Sequence, residues 1–383
     1  MDTKQLLVIG AGPYGLAVAA YARSRGLDYL LVGRPMEFWK CHMPGGLLLR
    51  SPLDWHLDPL GDHTFQSYLK RRGIKKEDAF PIPVELFLDY SAWFQVQKAL
   101  APCTSLVTRL RRSDGLFHAS LSDGREVLAE TVVATPGLGY FKNVPEDLVD
   151  ALPPGRYTHS SDLVGFEGLK SSSCLIIGGR QSAFEWGVLI SEEAGAEVHL
   201  VYRHDTPTFQ PSDWSWVAGM LEATLRVKGW FRNLSRTEQD SIRSRFWAEG
   251  RLKLEPWLEP RIKRGGVHLW PNSRVTGHTS LSNGRASVML DSGTSLVVDH
   301  VVLATGYNVA MGQVPYLSDS SISRALQVIE GYPALDEDFQ TSVPGLFITG
   351  LPASRDFGPF FGFVVGCPPA ARLIVKRIVE NLA

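Results

Sequence analysis

Residues 5–27 read QLLVIGAGPYGLAVAAYARSRGL, and the character of the chain changes twice within them. A strand-like run of leucine, valine and isoleucine gives way to glycines at 10, 12 and 15, and these to an alanine-rich stretch of helical periodicity. The spacing is G-x-G-x-x-G between a buried strand and a helix, the context in which this motif holds the pyrophosphate of a dinucleotide. Gly10 permits the tight turn, Gly12 removes the side chain that would face the pyrophosphate, and Gly15 lets helix and strand pack closely. Pro13 and Tyr14 open the helix, whose N-terminal N–H groups and dipole stabilise phosphate charge. The segment predicts an α/β fold that begins with a dinucleotide-binding unit.

At 383 residues the chain exceeds one ordinary core, so two domains, or one with a large insertion, are expected. Apolar content of 44% and charged content of 21% match soluble globular proteins and argue against disorder. With 39 basic and 40 acidic residues the net charge is -1, which argues against nucleic acid or an anionic membrane as the main partner. Cys41, Cys103, Cys174 and Cys367 show no C-x-x-C spacing, so neither a disulfide framework, a metal site nor a dithiol centre is expected. The early apolar run carries its glycines where a strand-turn-helix needs them and lacks a cleavage region, and no other run is long enough to span a bilayer. A cytoplasmic protein acting on a small molecule is expected, with its oligomeric state left open.

In such units an acidic residue at the end of the second strand hydrogen-bonds the ribose. Here the strand YLLV runs into Gly33 and Arg34 instead. Either Arg34 merely caps a strand, or the ribose is held by other groups such as Glu37 or backbone. The pattern then recurs at residues 174–204, CLIIGGRQSAFEWGVLISEEAGAEVHLVYRH. Gly178 and Gly179 form the turn, Ala183 takes the helix-packing position, and the middle glycine is replaced by Arg180. That replacement reads either as a fold remnant or as a guanidinium that pairs with phosphate. Arg203, at the end of the next strand, occupies the position that carries a cation where a 2′-phosphate is accommodated, which favours NADPH. Gln181 and Ser182 are further donors toward the nucleotide. Two such units imply two nucleotides, a flavin on one and a nicotinamide donor on the other.

Together these residues resemble the flavoprotein monooxygenases with two dinucleotide-binding folds, among them flavin-containing monooxygenases, Baeyer-Villiger enzymes and ornithine/lysine N-hydroxylases. GGRQSAFE resembles the family's GGGQSA-E turn, and YTHSSDL at 157–163, with His159, resembles its histidine-serine linker. VVATPG at 132–137, with Thr135, and VVLATGY at 301–307, with Thr305 and Gly306, resemble the paired domain crossings. VPGLFITGL at 343–351, with Gly350, resembles the late strand that passes the flavin. FWKCHMPGGLLLRSP at 38–52, FQSYLKRRG and FLDYSAWF resemble the N-hydroxylase branch, placing Trp39, His42 and Met43 near the flavin, although the spacing departs from the pattern.

The resemblance implies FAD and NADPH as cofactors, with oxygen and a small nucleophile as substrates. Reduced FAD would form a C4a-hydroperoxide whose distal oxygen passes to an amine, so no catalytic triad or metal is required. His42, Arg50 and Ser51 are the candidate catalytic residues, Arg50 and Ser51 for positioning flavin or substrate. Phe357, Phe360 and Phe361, interrupted by Gly358, Pro359 and Gly362, line the ring or a substrate pocket, or are simply core. A helix following them would turn its N-terminus toward the flavin pyrimidine, an arrangement the resemblance supplies. Asp213, Trp214 and Trp216 fall in a helical insertion expected to shape substrate access.

The expected architecture is a glutathione-reductase-like α/β fold. Residues 1–154 and 301–383 form a discontinuous FAD domain around an NAD(P)H domain at 155–300, with helices inserted around 210–262. Two further functions remain open: an NAD(P)H oxidase or reductase without oxygen insertion, and a regulatory protein that kept the fold without turnover.

Overall fold

The computed structural model describes residues 3–382. Strand Thr3–Ile9 lies parallel to Tyr29–Val32 on one side and to Glu126–Ala134 on the other, and its last four residues are fully buried. Helix Pro13–Ser24 covers this sheet with alanines, whose small side chains let the long helix Cys367–Leu382 pack closely against it. Glu126–Ala134 serves two partners on its far edge. Its first residues pair antiparallel with Leu116–Leu121, while residues 132–134 pair parallel with the late strand Leu346–Ile348. A chain that left this sheet at 134 thus rejoins it more than two hundred residues later.

Between these points lies a second, all-parallel sheet of five strands. Ser173–Ile177 is central, flanked by Glu197–Val201 and His300–Leu303, with Val267–Trp270 and Tyr157–His159 at the edges. The three inner strands are rich in valine, leucine and isoleucine, as sheets covered on both faces require. His300–Leu303 sits between two strands of this sheet, and the chain turns back toward the first sheet after it. A separate antiparallel sheet, Val275–Ser280, Ala286–Leu290 and Ser295–Val298, precedes it.

Helices Val217–Arg226, Trp230–Asn233, Arg236–Arg251 and Leu258–Lys263 interrupt the second unit. The first three are framed by a short parallel pairing of Thr208–Phe209 with Lys253–Leu254. The longest starts at a capping box, in which Ser235 and Glu238 satisfy each other's backbone N–H groups.

The glycine spacing of the first turn is a packing requirement. A Cβ on Gly15 would lie 1.7 Å from the carbonyl oxygen of Gly10, whereas one on Gly12 would meet nothing within 4 Å. Gly15→Ala is expected to cost more than the about 1–3 kcal/mol of ordinary overpacking, and Gly12→Ala to stay within about 1 kcal/mol of wild type, in ligand-stripped protein. Urea denaturation of both variants tests this; equal midpoints would show that the turn yields.

Candidate functional site

The first glycine turn sits at the carboxyl ends of the parallel strands, where open α/β sheets bind ligands. Gly10 adopts φ 105°, and a Cβ there would lie 2.4 Å from Thr135 Oγ1. That hydroxyl bonds the carbonyls of Ile9 at 3.0 Å and Gly10 at 3.2 Å, so Thr135 braces the turn from below. Gly33, at φ 140°, is pressed against the same turn, since a Cβ would lie 2.8 Å from Ala11 N. This explains why the second strand ends in glycine where an acidic residue was looked for. Arg34 is engaged with Glu37.

Gly12 caps the helix with no side-chain hydrogen bond, leaving the first-turn N–H groups facing open space. Tyr14 follows Pro13 in the first turn of this helix. Its hydroxyl reaches the carbonyls of Phe361 and Phe363, tying the glycine turn to the segment before the last helix. Gly350 packs on the Tyr14 ring. The last helix begins at Cys367, and Pro368 and Pro369 deprive its first turn of two donors. Phe360, Phe357 and Phe361 are buried: Phe357 stacks on Phe339 at 3.5 Å, and Phe360 packs on Trp216 and Phe246. They are core side chains and do not line an open pocket. Trp39 is half-buried against Phe87, 4.8 Å between rings, and Met43 packs on the core edge.

The second turn repeats the first with one difference. Gly178 has φ 149°, and a Cβ on it would lie 2.5 Å from the carbonyl oxygen of Ala304. Gly179 is pressed against Tyr202 and His204. Arg180 caps helix Gln181–Ala194 from an ordinary extended backbone, φ -116°, so a side chain here is unstrained. Its guanidinium leaves the turn for the insertion: Nη1 donates to the Arg251 carbonyl at 2.8 Å, and the group lies 5.3 Å from the Trp247 ring centre. Ser182 and Arg203 are exposed, and among the described residues Arg203 makes no ion pair. Gln181 is committed, donating to Glu185 at 2.9 Å and accepting from Glu255 N at 3.0 Å.

Arg50, a candidate for positioning flavin or substrate, is likewise engaged within the protein. Nε donates to Glu255 at 2.9 Å, Nη1 to the Gly250 carbonyl at 2.7 Å and Nη2 to Ser212 at 2.5 Å. Arg50 therefore fastens the first domain to the C-terminal end of helix Arg236–Arg251. An aromatic seam continues this contact, with Trp55 on Trp214 at 5.8 Å and Phe246 on Phe363 at 5.2 Å. Trp216 stacks under Arg245, which pairs with the exposed Asp213. Ser51 is half-buried in the same loop.

His42 and His159 meet at the crossings. His42 Nδ1 donates to the Ser161 carbonyl at 2.8 Å, and its ring stacks on Phe38, whose edge meets Tyr307. His159 is buried; burial lowers its pKa and keeps it neutral, with Nε2 donating to the Gly306 carbonyl at 3.0 Å. The same carbonyl accepts from Asn143 N at 2.9 Å, and Thr305 bonds Asn143 through both its hydroxyl and its carbonyl. The two crossings are thus zipped to each other. Among the described residues, Asp58, Asp62 and His63 form the one cluster with metal-ligand spacing, and Lys98 Nζ already lies 2.8 Å from Asp58.

Glu185, the glutamate that closes GGRQSAFE, was given no role of its own in the sequence, though it stands four residues after Gln181 on the same helix face. It is buried and accepts from Trp257 Nε1 at 2.8 Å, with Arg261 at 3.7 Å. Burial pushes its carboxyl up to about 7 against the pull of Trp257, Arg261 and Gln181. A folded pKa above the unfolded value means that stability is lost as pH rises through about 7. Glu185→Gln is expected to unfold at a higher temperature than wild type at about pH 8, with the gap closing toward about pH 4.3. Calorimetric scans across that range test it, and a variant destabilised equally at every pH would show that Arg261 holds the charge.

No family model matches the chain. The ferredoxin-NADP reductase 2 of Chloroherpeton thalassium is 28% identical over 357 residues, covering 91% of this chain and 83% of that one. The ferredoxin-NADP reductases of Nocardioides sp. and Lactococcus lactis, 30% and 27% identical, match over about half of their own length, 54% and 56%. Among solved structures, the ornithine N-hydroxylase of Kutzneria sp. 744, with reduced FAD, NADP+ and L-ornithine, aligns over 100% of both chains with TM-score 0.79 and 17% identity. A flavin-containing monooxygenase from Stenotrophomonas maltophilia aligns over 100% of both with TM-score 0.70 and 20% identity. Two glycine turns at strand ends, two zipped crossings and these full-length alignments give the chain the fold of the flavoprotein oxidoreductases with two dinucleotide-binding domains.

Proposed function

We propose that this chain is an FAD-dependent, NADPH-using oxidoreductase, and within that class a monooxygenase acting on a small nucleophile, an amine by preference. The observation that carries the reading is the duplicated turn: two uncapped helix N-termini, each at the carboxyl end of a parallel strand, joined by a paired crossing. The first turn fits FAD, because the space beside Gly12 is open and the N–H groups around it have no side-chain partner. Bound there, FAD supplies hydride acceptance and oxygen activation, chemistry that side chains lack.

The chain's own contribution is orientation and exclusion of water. Tyr14 holds the segment before Cys367 over the first turn, and the His159–Gly306 and Asn143–Thr305 bonds fix the two domains relative to each other. The seam of Trp55, Trp214, Phe246 and Phe363 closes the edge of the first domain with apolar rings. Arg203 offers an unpaired guanidinium at the end of the second strand of the second unit, where a 2′-phosphate is read.

A second reading is a reductase without oxygen insertion, favoured by the likeness to ferredoxin-NADP reductase 2 over most of both chains. Mixing the flavin-loaded protein anaerobically with NADPH or NADH separates the possibilities. Faster bleaching of the flavin by NADPH supports the proposal, and Arg203→Ala is expected to cut that preference about tenfold or more by removing a charged hydrogen bond. In air, NADPH consumption coupled to a hydroxylated amine favours the monooxygenase; electron delivery to ferredoxin without oxygenated product favours the reductase. Bleaching by neither nucleotide would sink both.

A further inference from the structure

Helix Arg236–Arg251 of the insertion carries Arg236, Gln239 and Arg243 at intervals of three and four residues, which puts all three on one face. That face walls an open cavity of about 630 Å³, a size that suits a small molecule. The hairpin of Val328–Ile329 and Tyr332–Pro333 supplies a second wall through Glu330 and Tyr332, and helix Ser354–Phe357 a third through Arg355. Neither glycine turn contributes a residue to it.

Two of its guanidiniums are held on one side and left unused on the other. Arg243 Nη1 lies 3.4 Å from Asp240, Nη2 donates to the Arg355 carbonyl at 3.3 Å, and the head rests 5.2 Å from the Phe231 ring centre. Arg355 Nη1 donates to Asp356 at 3.0 Å, and Asp356 is fixed in turn by the backbone N–H of Leu335. Among the described residues, Arg243 Nε and Arg355 Nε and Nη2 have no hydrogen-bond partner. Both side chains are partly buried, 40% and 29% exposed, so the fold sets where their spare N–H groups stand. Arg236 is looser, 4.0 Å from Asp240 and 95% exposed.

A fixed fork with N–H groups to spare matches a planar carboxylate, and little side-chain ordering remains when one arrives. Asp240 and Asp356 already offset part of the positive charge. Glu330, exposed and without an ion pair among the described residues, adds a negative charge on the hairpin wall. That balance favours one carboxylate over a polyanion. We infer that this cleft binds a small organic acid with a single carboxylate, gripped by Arg243 and Arg355. Such a ligand joins the inserted helix to helix Ser354–Phe357, which leads into the Phe361 and Phe363 carbonyls that Tyr14 ties to the first glycine turn.

Ligand-detected NMR titration of the flavin-loaded protein, at constant ionic strength, tests it with succinamate, which has one carboxylate, and succinamide, which has none. Wild type is expected to bind succinamate at least about tenfold tighter than succinamide, and Arg243→Gln and Arg355→Gln each to weaken succinamate by about tenfold. Two exposed positions that spare the fold are expected to move in opposite directions: Arg236→Gln weakens succinamate and Glu330→Gln tightens it, each by about twofold. Equal binding of acid and amide by wild type would overturn the proposal. So would wild-type affinity for succinamate in both Arg243→Gln and Arg355→Gln, or shifts of the same sign in Arg236→Gln and Glu330→Gln.

Discussion

Both halves of the molecule depend on one close approach: the carbonyl of a crossing strand lies where the Cβ of the turn's first glycine would be. For Gly10 the neighbour is Thr135 O, 2.5 Å from the missing Cβ, and for Gly178 it is Ala304 O, also 2.5 Å. Any side chain would push the crossing strand away and open the end of the sheet. Because each crossing also carries the chain to the other domain, the same contact that shapes a turn fixes where the domains separate. The zipped ribbon of Asn143, Thr305 and Gly306 is its continuation.

The insertion is joined to this frame by polar groups as much as by apolar ones. Arg50, Ser212, Glu255, Gln181, Glu185 and Trp257 form a chain of hydrogen bonds from the first domain to the second glycine turn. Such a network is worth keeping only while each member is satisfied. Arginine suits the two capping positions because one planar head can serve several acceptors, which a lysine ammonium on a flexible stem does less specifically. Glu185 shows the cost of the arrangement, since Oε2 has no hydrogen-bond partner among the described residues and the carboxyl is pushed up to about 7.

The glycine turns were legible in the sequence because each rests on local spacing: glycines where backbone comes close, alanines where helices do. The engagement of Arg50 was not legible because its partners, Glu255, Gly250 and Ser212, lie between about 160 and 205 residues away, and a loop reading Arg-Ser-Pro carries no sign of them. Tyr14 and Phe360 also have distant partners that the sequence does not announce. Motif position placed them at a ligand, and the fold spends both on holding the segment around residue 361. Glu185 was not singled out because a lone carboxylate within a helix gives no sign of whether it is solvated or buried against Trp257 and Arg261.

The two turns also show how far a glycine motif can be relaxed. Backbone conformation at the middle position is extended in both, φ -78° for Gly12 and -116° for Arg180, so neither site demands glycine for its dihedrals. What glycine provides there is space, and space matters only if the phosphate must touch the backbone. At the second turn Arg180 fills that space, and its guanidinium reaches past the turn to the inserted helix, where it donates to the Arg251 carbonyl. The first and last positions cannot be relaxed in this way: Gly10 and Gly178 abut a neighbouring carbonyl, and Gly15 and Ala183 must remain small. The motif therefore divides into packing positions, which any such fold must keep, and one ligand position, which is free to change with the way the nucleotide is held.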